Sequence, residues 1–374
     1  MKRLFSSIIL CSIMIMWIPA RIFAVKFKDQ NLEIGGEVLV HYIIGDFDWN
    51  DVSLHWNPSD GSKYIKGDIE TRYGGDKIVC ENVYLWAKYQ FSELISANVK
   101  LDFAQGDLAN NKELEEAYIH FDKIMRDIPI FLRIGKFEQP FGMDYDVGAF
   151  DPFPHTYEID KVWGIMIGYE IKDIGKIEAS VIDLDDIDDI GNNGNGVADE
   201  SNATLSDGFS ARITLDRLMP NIFIEASYAT RADTPAWRTN TPDPCRDNDR
   251  WSIGLQFELD EIVRGLTIFG EILENERFDN TKTVAESFIS NEKVWQAGFD
   301  WKFSWGWRLV YSYNDYDDDD SADTNFKNAH LIQLHKEITK NITLMIEYMD
   351  ANAESNVNVM DDQGAVIVAL KAKF

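Results

Sequence analysis

The 374-residue sequence predicts an all-β protein, a transmembrane antiparallel β-barrel of about sixteen strands. Three observations carry that expectation: a terminal strand with one apolar and one polar face, a regular alternation of long loops with tight turns, and an export signal with no spanning helix after it. At the C-terminus Val366, Val368, Leu370, Ala372 and Phe374 place an apolar side chain at every second position, and Lys371 and Lys373 take the other face. Alternation at period two marks a strand whose faces meet different surroundings, as lipid and lumen do in an outer-membrane barrel. A soluble sandwich strand alternates in the same way, so this feature does not decide alone.

The other end of the chain supplies the second constraint. Met1-Lys2-Arg3 is a basic start, an apolar run follows from Leu4 to Ile18, Pro19 breaks it, and Ile22-Phe23-Ala24 offers a cleavage site. Residues 1–24 thus read as a secretory signal peptide. The run is shorter than the roughly 20 residues a spanning helix needs, and no later segment holds an equivalent apolar stretch. The barrel is expected over residues 25–374, in a bacterial outer membrane. Removing the leader takes Lys2, Arg3 and Arg21 and no acid, which leaves 33 basic against 64 acidic side chains, a net charge of −31. So acidic a chain repels a phosphate backbone, which excludes nucleic acid as a partner, and it attracts cations. Cys80 and Cys245 fall near predicted loops with no distinctive spacing; a disulfide and two free thiols both stay open.

The strands follow in order. Leu32–Ile44 leads to a long loop through Arg72; Asn82–Phe91 turns at Ser92-Glu93 into Ile95–Phe103. Glu115–Phe121 and Ile130–Ile134 flank a short turn at Arg126-Asp127. After a long segment from Phe137 to Asp160 come Trp163–Ile171 and Ile177–Ile182, joined at Asp173-Ile174-Gly175. Phe209–Leu215 and Ile222–Tyr228 flank Met219-Pro220-Asn221, and Trp251–Leu259 and Leu266–Ile272 flank Asp260-Glu261. Trp295–Phe303 and Trp307–Tyr313 flank Ser304-Trp305-Gly306, His330–Lys336 and Ile342–Tyr348 flank Thr339-Lys340-Asn341, and the terminal strand closes the series. Eight long loops then alternate with seven short turns, and both termini lie at the short-turn end, which an outer-membrane barrel requires and a sandwich does not. Closure also removes the unpaired edges that lipid does not tolerate. The outward faces agree: Trp295, Ala297, Phe299, Trp301 and Phe303 share one face against Gln296, Gly298, Asp300 and Lys302.

One segment has wider content: Leu132-Arg133-Ile134-Gly135-Lys136-Phe137-Glu138-Gln139-Pro140-Phe141-Gly142-Met143-Asp144. A strand running into Gly-Lys-Phe-x-x-Pro-Phe-Gly, with Trp163-Gly164-Ile165-Met166-Ile167-Gly168-Tyr169 after it, resembles the porin family typified by the phosphate-selective porins O and P. The match covers about forty residues, from Ile130 to Tyr169. The resemblance implies sixteen-stranded homotrimeric barrels, a channel role, and a third loop, here about residues 137–160, that folds into the pore. Pro140 removes a ladder donor and Gly142 allows a tight turn, both compatible with such a course. The sequence departs from the family where selectivity is decided. Phe137 to Asp160 holds Glu138, Asp144, Asp146, Asp151, Glu158 and Asp160 and no Lys or Arg. The expected constriction is therefore Arg133, Lys136, Glu138, Asp144, Asp146 and Asp151. Inward parity on the strands gives Lys88, Lys100, Asp102, Arg212, Glu258, Asp300 and Arg308 as lumen-facing, along with Glu170, Glu178, Glu225, Lys302 and Glu347. These residues suit passive diffusion of small ions or solutes without strong phosphate preference; an anion-selective pore using Arg133, Lys136 and Arg308 is the alternative.

Other chemistry is weakly signalled. Asp189 to Glu200 has acid at position one, Asn at five, Gly at six and Glu at twelve of a calcium loop, but Gly191 at position three supplies no side-chain ligand and no helices flank it. A solvated extracellular loop is expected there, with no metal and no cofactor. The run Asp315-Tyr316-Asp317-Asp318-Asp319-Asp320 reads as a repulsive, solvated loop tip, or a bridge to lipopolysaccharide through divalent cations. The six histidines, His41, His55, His120, His155, His330 and His335, make no motif with Ser and an acid, and no nucleophile elbow is present. The chain is expected not to be an enzyme; a barrel acting as hydrolase, adhesin or scaffold is the further alternative. Lipid, lipopolysaccharide and small solutes are the expected partners.

Overall fold

A computed structural model describes residues 25–27, 31–45, 54–56, 63–65, 77–103, 114–124, 128–143, 154, 161–183, 208–231, 248–278, 289–318, 328–352 and 363–374. The predicted signal peptide lies outside them. Sixteen strands form the wall: β1 Leu32–Gly45, β2 Lys77–Ser92, β3 Ile95–Asp102, β4 Leu114–Phe121, β5 Ile130–Glu138, β6 Lys161–Ile171, β7 Gly175–Asp183 and β8 Gly208–Met219. The second half is β9 Ile222–Arg231, β10 Asn248–Glu258, β11 Leu266–Phe278, β12 Ile289–Phe303, β13 Trp307–Asp318, β14 Asn328–Thr339, β15 Ile342–Asn352 and β16 Gln363–Lys373.

Each strand pairs antiparallel with the next, and β16 pairs with β1 from Ala365↔Gly45 to Lys373↔Glu37, so the wall is a closed ring. A short strand, Val25–Phe27, folds back on the start of β1, and Leu54–Trp56 pairs with Lys63–Ile65 as a separate ribbon. The intervals between strands are long at one end and short at the other, as the sequence predicts.

Several strands run past the bounds read from the sequence: β2 starts at Lys77 and not Asn82, β5 ends at Glu138 and not Ile134, β11 ends at Phe278 and not Ile272, and β12 starts at Ile289 and not Trp295. Strand β13 runs on to Asp318, so Asp315 to Asp318 are ladder residues and not a loop tip. The partner strand supplies the reason: the Trp295 indole N–H donates to Asp315 at 3.0 Å, and Lys293 lies opposite Asp317. Cys80 also sits in a strand, β2, opposite Val40 where the register slips, and not in a loop. Cys245 and the acidic stretch 189–200 lie outside the described residues. Among the described residues no group of His, Cys, Asp and Glu is arranged to hold a metal ion.

The alternation of side chains is sharp. Outward positions carry Ile134, Ile165, Ile167, Ile177, Val181, Ile213, Ile253 and Ile268, between 36% and 50% exposed. Inward positions carry Glu178, Ser180, Ser210, Thr214, Glu225, Glu271, Asp300 and Glu347, all at most 5% exposed. A belt of exposed aliphatic side chains is unfavourable against water and favourable against hydrocarbon. Polar groups inside satisfy one another, as Ser180 and Ser210 do at 2.7 Å. The barrel is therefore inside-out relative to a soluble one and belongs in an outer membrane.

Candidate pore and its constriction

Strand β5 ends by leaving the wall. Phe137 turns inward and is fully buried among Phe131, Val162 and Met166, with Tyr118 packed against the group. Pro140 has no N–H to offer a neighbouring strand, and Gly142 takes φ 73°, in the left-handed region. The chain from Gln139 to Met143 is buried inside the barrel. Phe141 inserts among Ala229, Leu273 and Val294; Met143 inserts among Phe269, Val310 and Phe223. Those contacts belong to β9, β11, β12 and β13, so the segment leaves one wall and seats on another.

Polar contacts fix its path. The Gly142 N–H donates to Ser227 Oγ at 3.0 Å, the Met143 N–H donates to Glu271 Oε1 at 3.0 Å, and Arg212 Nη1 reaches the Gly142 carbonyl at 3.4 Å. The apolar seat is unusual in a lumen. It keeps water from competing for these backbone bonds, and each buried ring or thioether adds about 1.5–3 kcal/mol.

Charges on the inner face are distributed unevenly. From β7 onward they are mostly paired. Glu178 accepts from Arg212 at 3.0 and 3.2 Å and lies 2.8 Å from Lys176. Asp300 holds Arg308 through two bonds of 2.8 Å, with Lys302 at 3.9 Å. Glu225 accepts from Thr214, and Glu347 meets His335 and Gln333. On β2 to β5 the inner register holds Lys88, Lys100 and Asp102, with Glu116, Tyr118, His120 and Arg133 beside them. Lys100 Nζ stands 3.8 Å from the Tyr84 ring centroid. The Arg133 guanidinium lies 5.5 Å from the Tyr118 and Phe131 rings and 3.9 Å from the Met166 sulfur. Among the described residues no carboxylate pairs with it, and its Nε is buried without a partner.

The site residues read from the sequence separate into several groups. Lys88, Lys100, Asp102, Arg133, Arg212, Glu258, Asp300 and Arg308 all fall on the inner register, Glu258 exposed at the short-turn end. Lys136 does not. It lies opposite Ala117 and Trp163, in the row of outward Ile134 and Ile165, which corrects the expectation that it lines the constriction. Alternation continues through the ladder, so the inward turn of Phe137 sends Lys136 outward. Glu138 is the last residue of β5, where the chain leaves the wall, and its charge acts on the inward Arg212. Asp144, Asp146 and Asp151 lie outside the described residues.

Sequence reasoning missed the seat itself: Ser227, Gly254, Glu271, Leu273 and Val294. The inner row of β11, Thr267, Phe269, Glu271 and Leu273, is half apolar, unlike the polar lumen rows expected from alternation. The only signal was Glu271 among hydrophobic neighbours.

No family model matches the chain, and no curated protein does. Solved structures do match in shape. The outer membrane channel DcaP of Acinetobacter baumannii superposes with a TM-score of 0.60 at 14% identity, covering 94% of this chain and 99% of that one. Salmonella typhi OmpF in complex with daunomycin gives a TM-score of 0.60 at 11% identity, covering 94% of this chain and 100% of that one. The fold is that of the outer-membrane porins. The anion-selective porin from Comamonas acidovorans, at 0.57 and 10% identity over 92% of this chain and 100% of that one, has the same porin fold. At such identities the likeness concerns the barrel and not its selectivity.

Proposed function

We propose that this porin-fold chain is a water-filled channel for passive diffusion of small ions or solutes, narrowed by the segment that enters the lumen at Phe137. The observation that carries the reading is the seating of Phe141 and Met143 inside the barrel. A scaffold or adhesin needs no such internal partition, whereas a channel needs one to limit what passes. The reading extends the inward course to about residue 160, where Asp144, Asp146, Asp151, Glu158 and Asp160 add acid near the passage. Focused field lines in a narrow pore magnify such an imbalance, so the channel favours cations or is weakly selective and has no strong preference for phosphate.

The anion-selective alternative is weakened by geometry. It relied on Arg133, Lys136 and Arg308. Lys136 is on the outward register and Arg308 is committed to Asp300, which leaves Arg133 as the one of the three facing the lumen without a described carboxylate. The chain is not an enzyme on this reading, acts after removal of residues 1–24, and assembles as the homotrimer that the family resemblance implies. Purified protein in a planar bilayer tests the proposal. Stepwise conductance with a cation-side reversal potential under a salt gradient supports it. Absence of conductance, together with ester hydrolysis by the same preparation, replaces it with the hydrolase alternative.

A further inference from the structure

Glu271 joins the crossing segment to the two strands that flank its own. We infer that the Glu271 carboxylate and the notch at Gly254 form the catch that holds the crossing segment on the far wall, and that the catch sets the width of the passage but not its charge preference. The inference rests on the channel reading above.

The carboxylate gathers donors from three parts of the chain. Oε1 accepts the Met143 N–H at 3.0 Å and the Ser252 hydroxyl at 2.5 Å, and Oε2 accepts the Gln296 amide at 3.2 Å. Ser252 is on β10 and Gln296 on β12, the strands flanking β11, so two wall donors aim the carboxylate and the third bond goes to the segment. That third donor is a backbone N–H, which a side-chain change in the segment does not remove. Hydrogen bonds to an ionised acceptor are stronger than neutral ones, and more so where water is excluded.

Gly254 lies directly opposite Glu271 in the ladder. A Cβ there would stand 2.5 Å from the Met143 sulfur and 2.9 Å from its Cβ and Cγ. Glycine is thus required for the seat itself, not for any turn. Glu271 is 4% exposed and hydrogen bonds occupy both of its oxygens. A carboxylate so covered and so committed does not face a passing ion, which separates its role from that of lumen charges near solvent.

The test uses the mature full-length protein and compares wild type with E271A, E271Q, G254V and, as a control for loss of another buried wall carboxylate, E347A. The readouts are sugar exclusion in liposome swelling, reversal potential in a planar bilayer, and chymotrypsin cleavage at Phe141. E271A and G254V are expected to admit larger sugars and expose Phe141 to cleavage, with the reversal potential unchanged. E271Q keeps an acceptor oxygen for the Met143 N–H and is expected to stay near wild type, as is E347A. Wild-type exclusion and protection in both E271A and G254V overturn the catch, as does a reversal potential that moves in E271Q. Should the wall variants fail to give a heat-modifiable barrel, M143A and F141A leave the wall intact; wild-type sugar exclusion in both, with Phe141 still protected from cleavage in M143A, overturns it equally. A wild type that does not conduct defeats the channel reading, while Phe141 protection still reads the catch.

Discussion

Gly36 and Phe374 fasten the two ends of the wall to each other. The Gly36 N–H donates to the Phe374 carbonyl at 2.7 Å, and the Phe374 N–H donates to the Gly36 carbonyl at 2.8 Å. The Phe374 ring lies where a side chain on residue 36 would have to go, its Cζ 2.5 Å from an ideal Cβ. Beside this pair, Glu37 takes Lys371 at 2.7 Å and Lys373 at 3.3 Å on the lumen face. The last residue is thus part of the seam that makes the sheet a ring.

That seam gives the first prediction. Gly36→Val forces the ring off the wall and is expected to cost about 1–3 kcal/mol, as overpacking does. Phe374→Ala keeps the backbone pair and removes only the ring's cover, so its cost is smaller. Heat-modifiable migration and urea midpoints in detergent should rank wild type, then Phe374→Ala, then Gly36→Val. A Gly36→Val barrel as stable as wild type contradicts the seam.

The Asp300–Arg308 pair gives a second. Asp300 is 2% exposed and Arg308 partly open to the lumen. Arg308→Ala takes two short bonds from a buried carboxylate, with Lys302 remaining 3.9 Å away, and is expected to destabilise by about 3 kcal/mol. Asp300→Asn instead releases the guanidinium from its charged partner and should move the reversal potential toward the anion side. No shift in Asp300→Asn shows that this pair lies away from the current path.

The acidic segment gives a third. Replacing Asp144, Asp146 and Asp151 together by Asn removes three negative charges from the proposed constriction and should shift the reversal potential toward anions, most clearly at low salt, where screening is weakest. A wild-type pore that already prefers anions, with chloride current blocked by low phosphate, defeats the cation reading.

Arg133 gives a fourth. If any phosphate block is measured, Arg133→Gln should abolish it and Lys136→Gln should not, because only the first is on the inward register. Equal loss in both variants contradicts the register.

Much of the architecture was legible in the sequence because a lipid-facing strand writes its environment at period two. Trp251-Ser252-Ile253-Gly254 already separates outside from inside before any pairing is known. The acidic run at Asp315 misled, since composition alone marks it as a loop; the extended ladder there depends on Lys293 and Trp295 from the partner strand. Lys136 misled for the opposite reason. Its motif suggested a pore residue, and a single step of parity placed it outside.

What the sequence determined by itself is the barrel: strand number, the division of long and short connections, and the faces, all set by local alternation and turn chemistry. What only the tertiary structure decided is the interior partition. Phe141 finds Ala229, Leu273 and Val294, and Met143 finds the Gly254 notch, across separations of 70 residues and more for the bonds that fix them. Alternation reports whether a side chain points in or out. Which inward side chains meet across the lumen depends on ring closure and on where β5 leaves the wall, and no local pattern encodes either.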